Sequence, residues 1–405
     1  MATGVSAVPA VAPVLVLNSG SSSVKLAVLD PVSGERRVTA LAERVGTGEA
    51  TVRVRRGEQE QAGAPADGSH RGVIKELLAA LADELATVAG VGHRVVHGGQ
   101  RFSSSAVVDD PVLATLRELT GLAPLHLPGN LAGIEAARAE LPDRVHVAVF
   151  DTAFHSGMPA RAYRYAVPAG WYSQHAVRRY GFHGTSHRYV SGRAAELLGR
   201  PLASLRMVTV HLGNGCSATA VRDGISVDTT MGMTPLEGLV MGTRSGDVDP
   251  GALGYLADRL GKGLAGLLDQ LNTRSGLLGL SGISNDMREV QDAAEHGSAD
   301  AALAVEVFCY RVAKAIGALA VALGRLDAVV FTGGIGEHSA TVRSAVLVQL
   351  GILGITEDVG ANGEDGRRTG GRISGAGSVP VLVVPTDEEL LIARDTWELT
   401  AEPAR

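Results

Sequence analysis

Residue types suited to holding and moving a phosphoryl group recur at three separated places in the chain. Asn18-Ser19-Gly20-Ser21-Ser22-Ser23 lies between the apolar runs Val14–Leu17 and Val24–Leu29, which reads as a hairpin with a small-residue tip. Small residues let a backbone close on a bulky anion, while Ser hydroxyls and turn N–H groups donate to its oxygens. Asn18 and Lys25 add an amide and a cation near the tip. An ordinary hairpin with a Ser-rich turn has the same look. His211-Leu212-Gly213-Asn214-Gly215 repeats the pattern at the head of the second half. Thr332-Gly333-Gly334-Ile335-Gly336-Glu337 follows the apolar run Ala328–Phe331. Two hairpins and a late glycine turn imply a duplicated α/β nucleotide-binding architecture with a cleft between the halves.

Charged side chains stand where such a sheet gathers ligands, at the carboxyl ends of strands. Arg94 is near the end of the run Val91–Val96, and Asp151 directly follows Val145–Phe150. Arg244 sits in the Gly- and Asp-rich loop Met241–Pro250. Each also has a plain structural role open to it: a strand-end ion pair for Arg94, a helix cap for Asp151, a local Arg–Asp pair for Arg244. His183 and His187 have the spacing of a metal pair, but no Glu accompanies them as in a zinc-protease helix, and His183 also suits a satisfied core imidazole. Thr386 and Glu389 have the spacing of a capping box, which leaves Glu388 for other work.

The elements that must position these residues follow from periodicity and breakers. Arg36–Arg44 and Thr51–Arg55 alternate as strands, 57–72 reads as a mobile surface loop, and Val73–Val88 has helical spacing. Helices are expected at Pro111–Leu119, Asn130–Leu141, Asp286–Glu295, Ala299–Leu323 and Ser339–Leu350. One more runs to Leu198, capped by Thr185 or Ser186 and ended by Gly199. Strands are expected at Arg206–Leu212, Cys216–Arg222, Ile225–Asp228 and Val379–Val384. The run Gly213–Ala218 fits G-x-G-x-x-A, yet a strand follows where a dinucleotide fingerprint needs a helix, and no Walker-type sequence occurs.

Length and composition frame this reading. The 405 residues are 45% apolar, include 52 Gly and carry a net charge of −6 with no basic block, so nothing marks a nucleic-acid surface. Cys216 and Cys309 have no metal or redox spacing, which fits a reducing cytoplasm. Pro9 and Pro13 interrupt the apolar start and no Lys or Arg precedes Lys25, unlike a signal peptide. Val305–Leu323 carries Glu306, Arg311 and Lys314, so it reads as a buried helix and not a membrane span. Residues 1–12 read as a disordered tail.

These motifs resemble, in order and over nearly the whole chain, those of the acetokinase family within the acetate and sugar kinase, Hsp70 and actin superfamily. The matching stretches include Asn18–Lys25, His93–Gly99, Phe150–His155, Gly181–His187, His211–Gly215, Gly242–Pro250, Ser284–Arg288, Phe331–Glu337 and Glu388–Thr396. The resemblance implies two actin-like (ribonuclease H-like) ATPase domains, 13–152 with 388–405 and 153–387, the second carrying the adenosine site. It implies Asp151, His183 and Arg244 as catalytic residues, and Arg94 as the holder of the substrate carboxylate. Val96, Leu125, Phe182 and Pro235 correspond to the small apolar pocket around a methyl group. Lys25 and His211, Leu212, Gly213, Asn214 and Gly215 match phosphate positions. Asp286, Met287, Arg288, Gly334, Ile335, Gly336, Glu337 and His338 match the adenosine site. Asn18 and Glu388 match the groups near magnesium, with manganese as a substitute. Acetate, acetyl phosphate and ATP/ADP are the implied ligands and a homodimer the implied assembly, with no nucleic acid and no membrane. Departures occur at His338, where Asn is usual, at Leu127 and Gly129 for Asn and Ala, and at Asp387 for Asn.

A carboxylate acceptor is already ionised and needs no general base, whereas a sugar hydroxyl would need one, a part open to Asp151. Two anions must approach each other, so cations must offset the repulsion. Propionate or butyrate kinases share this chemistry. A sugar-sensing repressor would need a helix-turn-helix ahead of Val14, and a chaperone a separate peptide-binding domain.

Overall fold

The computed structural model describes residues 11–401, so all but the last two residues of the expected 1–12 tail lie outside the described residues. The chain divides into two compact units. One takes the chain through Ala153 and again from Glu388 onward; the other is Phe154–Asp387.

The first unit is built on an eight-stranded sheet. Its strands are β1 (Val14–Ser19), β2 (Ser23–Leu29), β3 (Arg36–Glu43), β4 (Thr51–Arg56), β5 (Gln59–Gly63), β6 (Gly90–Val95), β7 (Ala106–Val107) and β8 (Val145–Phe150). They run in the order β5-β4-β3-β2-β1-β6-β8-β7. β1 to β5 form an antiparallel meander, and β1, β6 and β8 are parallel. Alternation in the meander buries Val24, Leu26 and Val28 against the helix His70–Ala80, through Val73, Ile74 and Leu77. A second cluster joins Val95, Leu113, Leu116, Ile134 and Phe150, with Phe102 stacked on Phe150 at 4.4 Å. The helix Glu388–Ala401 returns to lie across β1, β6 and β8.

The second unit repeats this plan. Its strands are β9 (Arg206–Leu212), β10 (Cys216–Arg222), β11 (Ile225–Thr229), β12 (Ala328–Thr332) and β13 (Val381–Val383), in the order β11-β10-β9-β12-β13. β9 to β11 are an antiparallel meander, and β9, β12 and β13 are parallel. The order and directions match β3-β2-β1-β6-β8, so the α/β duplication read from the two hairpins is real. The 25-residue helix Ala299–Leu323 buries Phe308, Val312, Ile316 and Leu319, and Gly324 ends it in a left-handed cap.

Several local expectations change. The 57–72 stretch is not a loop: Gln59–Gly63 pairs with β4 as an exposed edge strand, and Ser69 caps the helix from His70. Polar residues on an edge strand bury nothing, so no alternation marks them. The helix expected behind Thr185 or Ser186 starts at Gly184, with His183 as its cap in the left-handed region. The glycine turn after Phe331 is itself a short helix, Gly333–His338. The expected helix to Leu350 ends at Leu347 and continues as a 3-10 segment, Val348–Leu353. The last helix starts at Glu388, which puts Asp387, and not the Thr386 of the expected capping box, at its cap position; Glu389 pairs with Arg36 at 3.1 Å, and Thr386 shares a 2.8 Å hydroxyl contact with Ser186. Among the described residues no helix is long and apolar enough to cross a membrane.

Four buried histidines give the fold a pH limit. Burial lowers the pKa of His155 to about 4, although its bond to the Phe182 carbonyl pulls the other way. Burial likewise depresses His187, His93 and His146. These rings are neutral when folded and titrate near ~6.5 when unfolded, so acid favours the unfolded chain. Stability is expected to be full above about pH 6.5 and to fall below it, by up to ~1.4 kcal/mol per pH unit for each such ring, down to the folded pKa. Urea midpoints at pH 7.0 and 5.5 check this; an unchanged midpoint would contradict it.

Candidate active site

The first unit gathers its expected residues around one guanidinium. Arg94 is near the end of β6, and the parallel neighbour β8 delivers Asp151 just past its own end. Asp151 is 1% exposed, and both its carboxylate oxygens accept from Arg94, from Nε at 3.1 Å and Nη2 at 2.6 Å. Asn18 Oδ1 lies 3.5 Å from Arg94 Nη1, and Glu388 Oε2 lies 3.9 Å from Nε. Residues 370 positions apart therefore flank the same side chain. Burial would lower the Arg94 pKa, but the charges of Asp151 and Glu388 outweigh it and hold the group above its ordinary value. Asp151 is thus a paired, bidentate carboxylate.

Other first-unit residues are placed differently. Val96 is buried, and its N–H donates to Asn130 Oδ1 at 3.0 Å. Leu125 is 66% exposed. Lys25, opposite Asn18 in the β1–β2 register, lies on the exposed side of the meander beside Arg53, Arg55 and Glu389. Asn130 also donates to the Ser19 carbonyl at 2.6 Å, tying the first turn to the end of β6. Its role went unread, since the only signal was an Asn early in an expected helix.

The second unit brings His183, His211, Gly215 and Arg244 together. The His183 and His211 rings lie 4.4 Å apart. A Cβ at Gly215 would stand 2.6 Å from Arg244 Nη2 and 3.2 Å from the His183 ring, so only glycine lets both reach this turn. Burial lowers the Arg244 pKa, and among the described residues no carboxylate pairs with it. Its Nη1 donates to the Pro235 carbonyl at 2.6 Å. His183 holds φ 55°, ψ 25°, a left-handed conformation that costs a non-glycine residue ~1–3 kcal/mol and concentrates at functional sites. His183 and His187 are joined through Ser217, whose Oγ lies 2.9 Å from His183 Nδ1 and 2.8 Å from His187 Nε2. His187 Nδ1 contacts Thr209 at 2.7 Å. With both His187 nitrogens engaged, the pair is a hydrogen-bonded relay and not a set of metal ligands. Phe182 is buried and Pro235 partly so.

The remaining nucleotide candidates lie at three places in the same unit. His211, Leu212, Gly213 and Asn214 belong to the β9–β10 turn, and the Asn214 carbonyl accepts from Gly242 N at 3.0 Å. Gly334, Ile335, Gly336, Glu337 and His338 form the short helix after β12. Glu337 accepts from Gly333 N at 2.9 Å and Thr386 N at 3.1 Å. The fully buried Arg343 donates to the carbonyls of Gly336 and Glu337 at 3.0 and 2.9 Å. Asp286 caps the helix Met287–Glu295 and pairs with Arg288, whose side chain, with the Arg288 backbone N–H, brings the carboxyl pKa down to about 2. Arg343 and Ser217 escaped sequence reading, because a buried Arg in a helix and a Ser in a strand carry no local signature.

The chain is similar to known proteins over nearly its whole length. A model of the Acetokinase family matches residues 13–394. An acetate kinase of Deinococcus radiodurans is 56% identical over 384 residues, 94% of this chain and 96% of that protein. One from Ectopseudomonas mendocina is 51% identical, covering 95% and 98%. The crystal structure of Porphyromonas gingivalis acetate kinase superposes with a TM-score of 0.90 at 42% identity, covering 96% and 99%. That of a propionate kinase from Francisella tularensis gives 0.90 at 42%, covering 95% and 98%. These are close relatives in both sequence and fold.

Proposed function

The chain belongs to the acetokinase family, and from that premise we propose that it transfers the ATP γ-phosphoryl group reversibly to acetate, giving acetyl phosphate and ADP. It is a phosphotransferase with a carboxyl acceptor. The observation that carries the assignment onto this chain is the placement of Arg244: half-buried, paired with no carboxylate among the described residues and beside His183 at a glycine turn. Such a cation suits a phosphoryl group whose charge spreads in the transition state.

The residue roles follow from charge. Arg94, held by Asp151, binds the acceptor carboxylate. Asp151 orients that guanidinium and does not act as a base, because the acceptor is already ionised and both its oxygens accept from Arg94. Arg244 and His183 offset the charge of the phosphoryl in flight. The 211–215 turn holds phosphates, while 286–288 and 334–338 hold adenosine. Transfer is in line, which asks for no protein nucleophile. Magnesium is the metal of this reading, with manganese as a substitute. Asn18 and Glu388 beside Arg94 offer the hard oxygen donors that magnesium takes, directly or through water. When bound, the ion neutralises phosphate charge. The buried, unpaired thiols Cys216 and Cys309 support a cytoplasmic setting.

The assembly we propose is a homodimer. The helix Pro250–Leu260 buries none of its residues, and Tyr255, Leu256 and Leu260 are exposed on it, followed by Leu264 and Leu268. Apolar surface of this extent is covered in most soluble proteins. Light scattering should give twice the chain mass, and Leu256→Glu should shift it toward the monomer; a wild-type monomer at micromolar concentration rules the dimer out.

Catalysis is tested by trapping acyl phosphate with hydroxylamine. Acetate, ATP and magnesium should give acetyl hydroxamate, and no product with any short carboxylic acid would end the proposal. Arg244→Ala should lower kcat by ~100-fold or more with little change in KM, as for an interaction made mainly in the transition state. A near-normal kcat with a raised KM would remove that role.

Acceptor choice rests on Val96. Acetate is expected to be preferred over propionate, with butyrate poor. An apolar contact discriminates one methylene by only ~1–3 kcal/mol, so some propionate activity remains. Val96→Ala should raise the propionate-to-acetate ratio of kcat/KM; an unchanged ratio means that Val96 does not meet the methyl group.

A further inference from the structure

The segment from Thr229 to Glu237 leaves β11 without regular secondary structure, so its backbone groups need partners from elsewhere. Arg179 supplies several. Its Nη1 donates to the carbonyls of Thr229, Thr230 and Met231 at 2.9, 2.8 and 3.2 Å, and its Nη2 donates to Glu237 Oε1 at 2.5 Å. The other Glu237 oxygen accepts from the Tyr165 hydroxyl, whose oxygen accepts in turn from Met233 N at 2.9 Å. The Arg179–Glu237 pair is largely buried, with side chains 18% and 31% exposed.

The segment so fastened makes two contacts with the catalytic set. The Pro235 carbonyl accepts from Arg244 Nη1 at 2.6 Å. The Gly232 carbonyl accepts from Tyr180 N and Gly181 N at 3.0 and 3.2 Å, just ahead of Phe182 and His183. Glu237 is also a carboxylate two residues from the carbonyl that Arg244 grips. Arg179 matches its charge with a fixed guanidinium fork, and Tyr165 fixes its second oxygen. Arg244 is thereby left to a neutral carbonyl and to its substrate.

We propose that Glu237, clamped by Arg179 and Tyr165, is a positioning residue for the phosphoryl transfer, fixing the Pro235 carbonyl that aims Arg244. The inference rests on the proposed kinase reading and assigns Glu237 no contact with substrate. The clamp acts on the orientation of Arg244 in the transition state, so it changes kcat and not affinity.

The test is a double-mutant cycle on the full-length enzyme. Glu237→Ala should lower kcat by ~30-fold with KM for acetate and ATP within about twofold, and in an Arg244→Ala background should cost less than about threefold. Glu237→Gln, which keeps an acceptor oxygen for Arg179, should recover most of the loss. An equal loss in both backgrounds, or a raised KM at unchanged kcat, overturns the proposal. Should Glu237→Ala fail to fold, Tyr165→Phe removes one arm at little change in volume. Its several-fold loss of kcat should vanish in the Arg244→Ala background, and an unchanged kcat overturns the proposal equally. A wild-type enzyme that makes no acyl phosphate would instead defeat the kinase reading itself.

Discussion

A guanidinium taken out of water without a carboxylate is expensive to keep, by several kcal/mol after relaxation, unless fixed dipoles surround it. Arg244 is half-buried and meets part of that cost, and its neighbours in the second unit supply such dipoles. The Pro235 carbonyl takes one N–H. The backbone of residues 241–243 is fastened to the start of the helix Gly276–Ser281: Ser275 N, Leu277 N and Leu278 N donate to the carbonyls of Thr243, Met241 and Gly242 at 2.9 to 3.0 Å. Those are N–H groups at a helix start that have no partner within the helix, so the loop and the helix end satisfy each other. Gly242 N, bonded to the Asn214 carbonyl, carries the same frame to the β9–β10 turn.

The first unit solves the opposite problem. Arg94 is matched by Asp151 and approached by Glu388, one cation against two carboxylates. In the proposed reading that group also receives the acceptor carboxylate. Asp151 occupies Nε and Nη2, and Nη1 turns toward Asn18 Oδ1 at 3.5 Å, the side from which the proposed acceptor would approach. The excess of negative charge, with the amide and carboxylate oxygens of Asn18 and Glu388, is what the proposed magnesium would meet here. Pairing thus fixes direction in one unit, and withheld pairing preserves charge in the other.

How much of this could be read from sequence depended on whether the information was local. The two hairpins, their strands and the helix Ala299–Leu323 were legible because alternation, small-residue tips and an end glycine are written in consecutive residues. Arg94 and Asp151 were legible as candidates because each stands at the end of a strand. Their bidentate pairing was not, since it depends on the β6–β8 register. The same limit hid Ser217 between two histidines, Arg343 beneath the 333–338 helix, and Arg179 with Glu237, partners 58 positions apart. The 57–72 stretch misled for another reason: an edge strand that buries nothing shows no hydrophobic period.

The departures from the family pattern can be judged by the same physics. Leu127 is fully buried in the cluster with Val95, Ile134 and Phe150, where an Asn would need polar partners. Gly129 packs so close to the first turn that a Cβ would stand 2.8 Å from the Gly20 carbonyl. Both positions bear on the packing beneath the turn. His338 ends a helix whose last carbonyls are held from below by Arg343, and its own side chain is 70% exposed. In the proposed reading, an exchange at that position acts on an exposed side chain of the adenosine site. Of these departures, Leu127 and Gly129 therefore bear on packing beneath the first turn, and His338 on an exposed side chain.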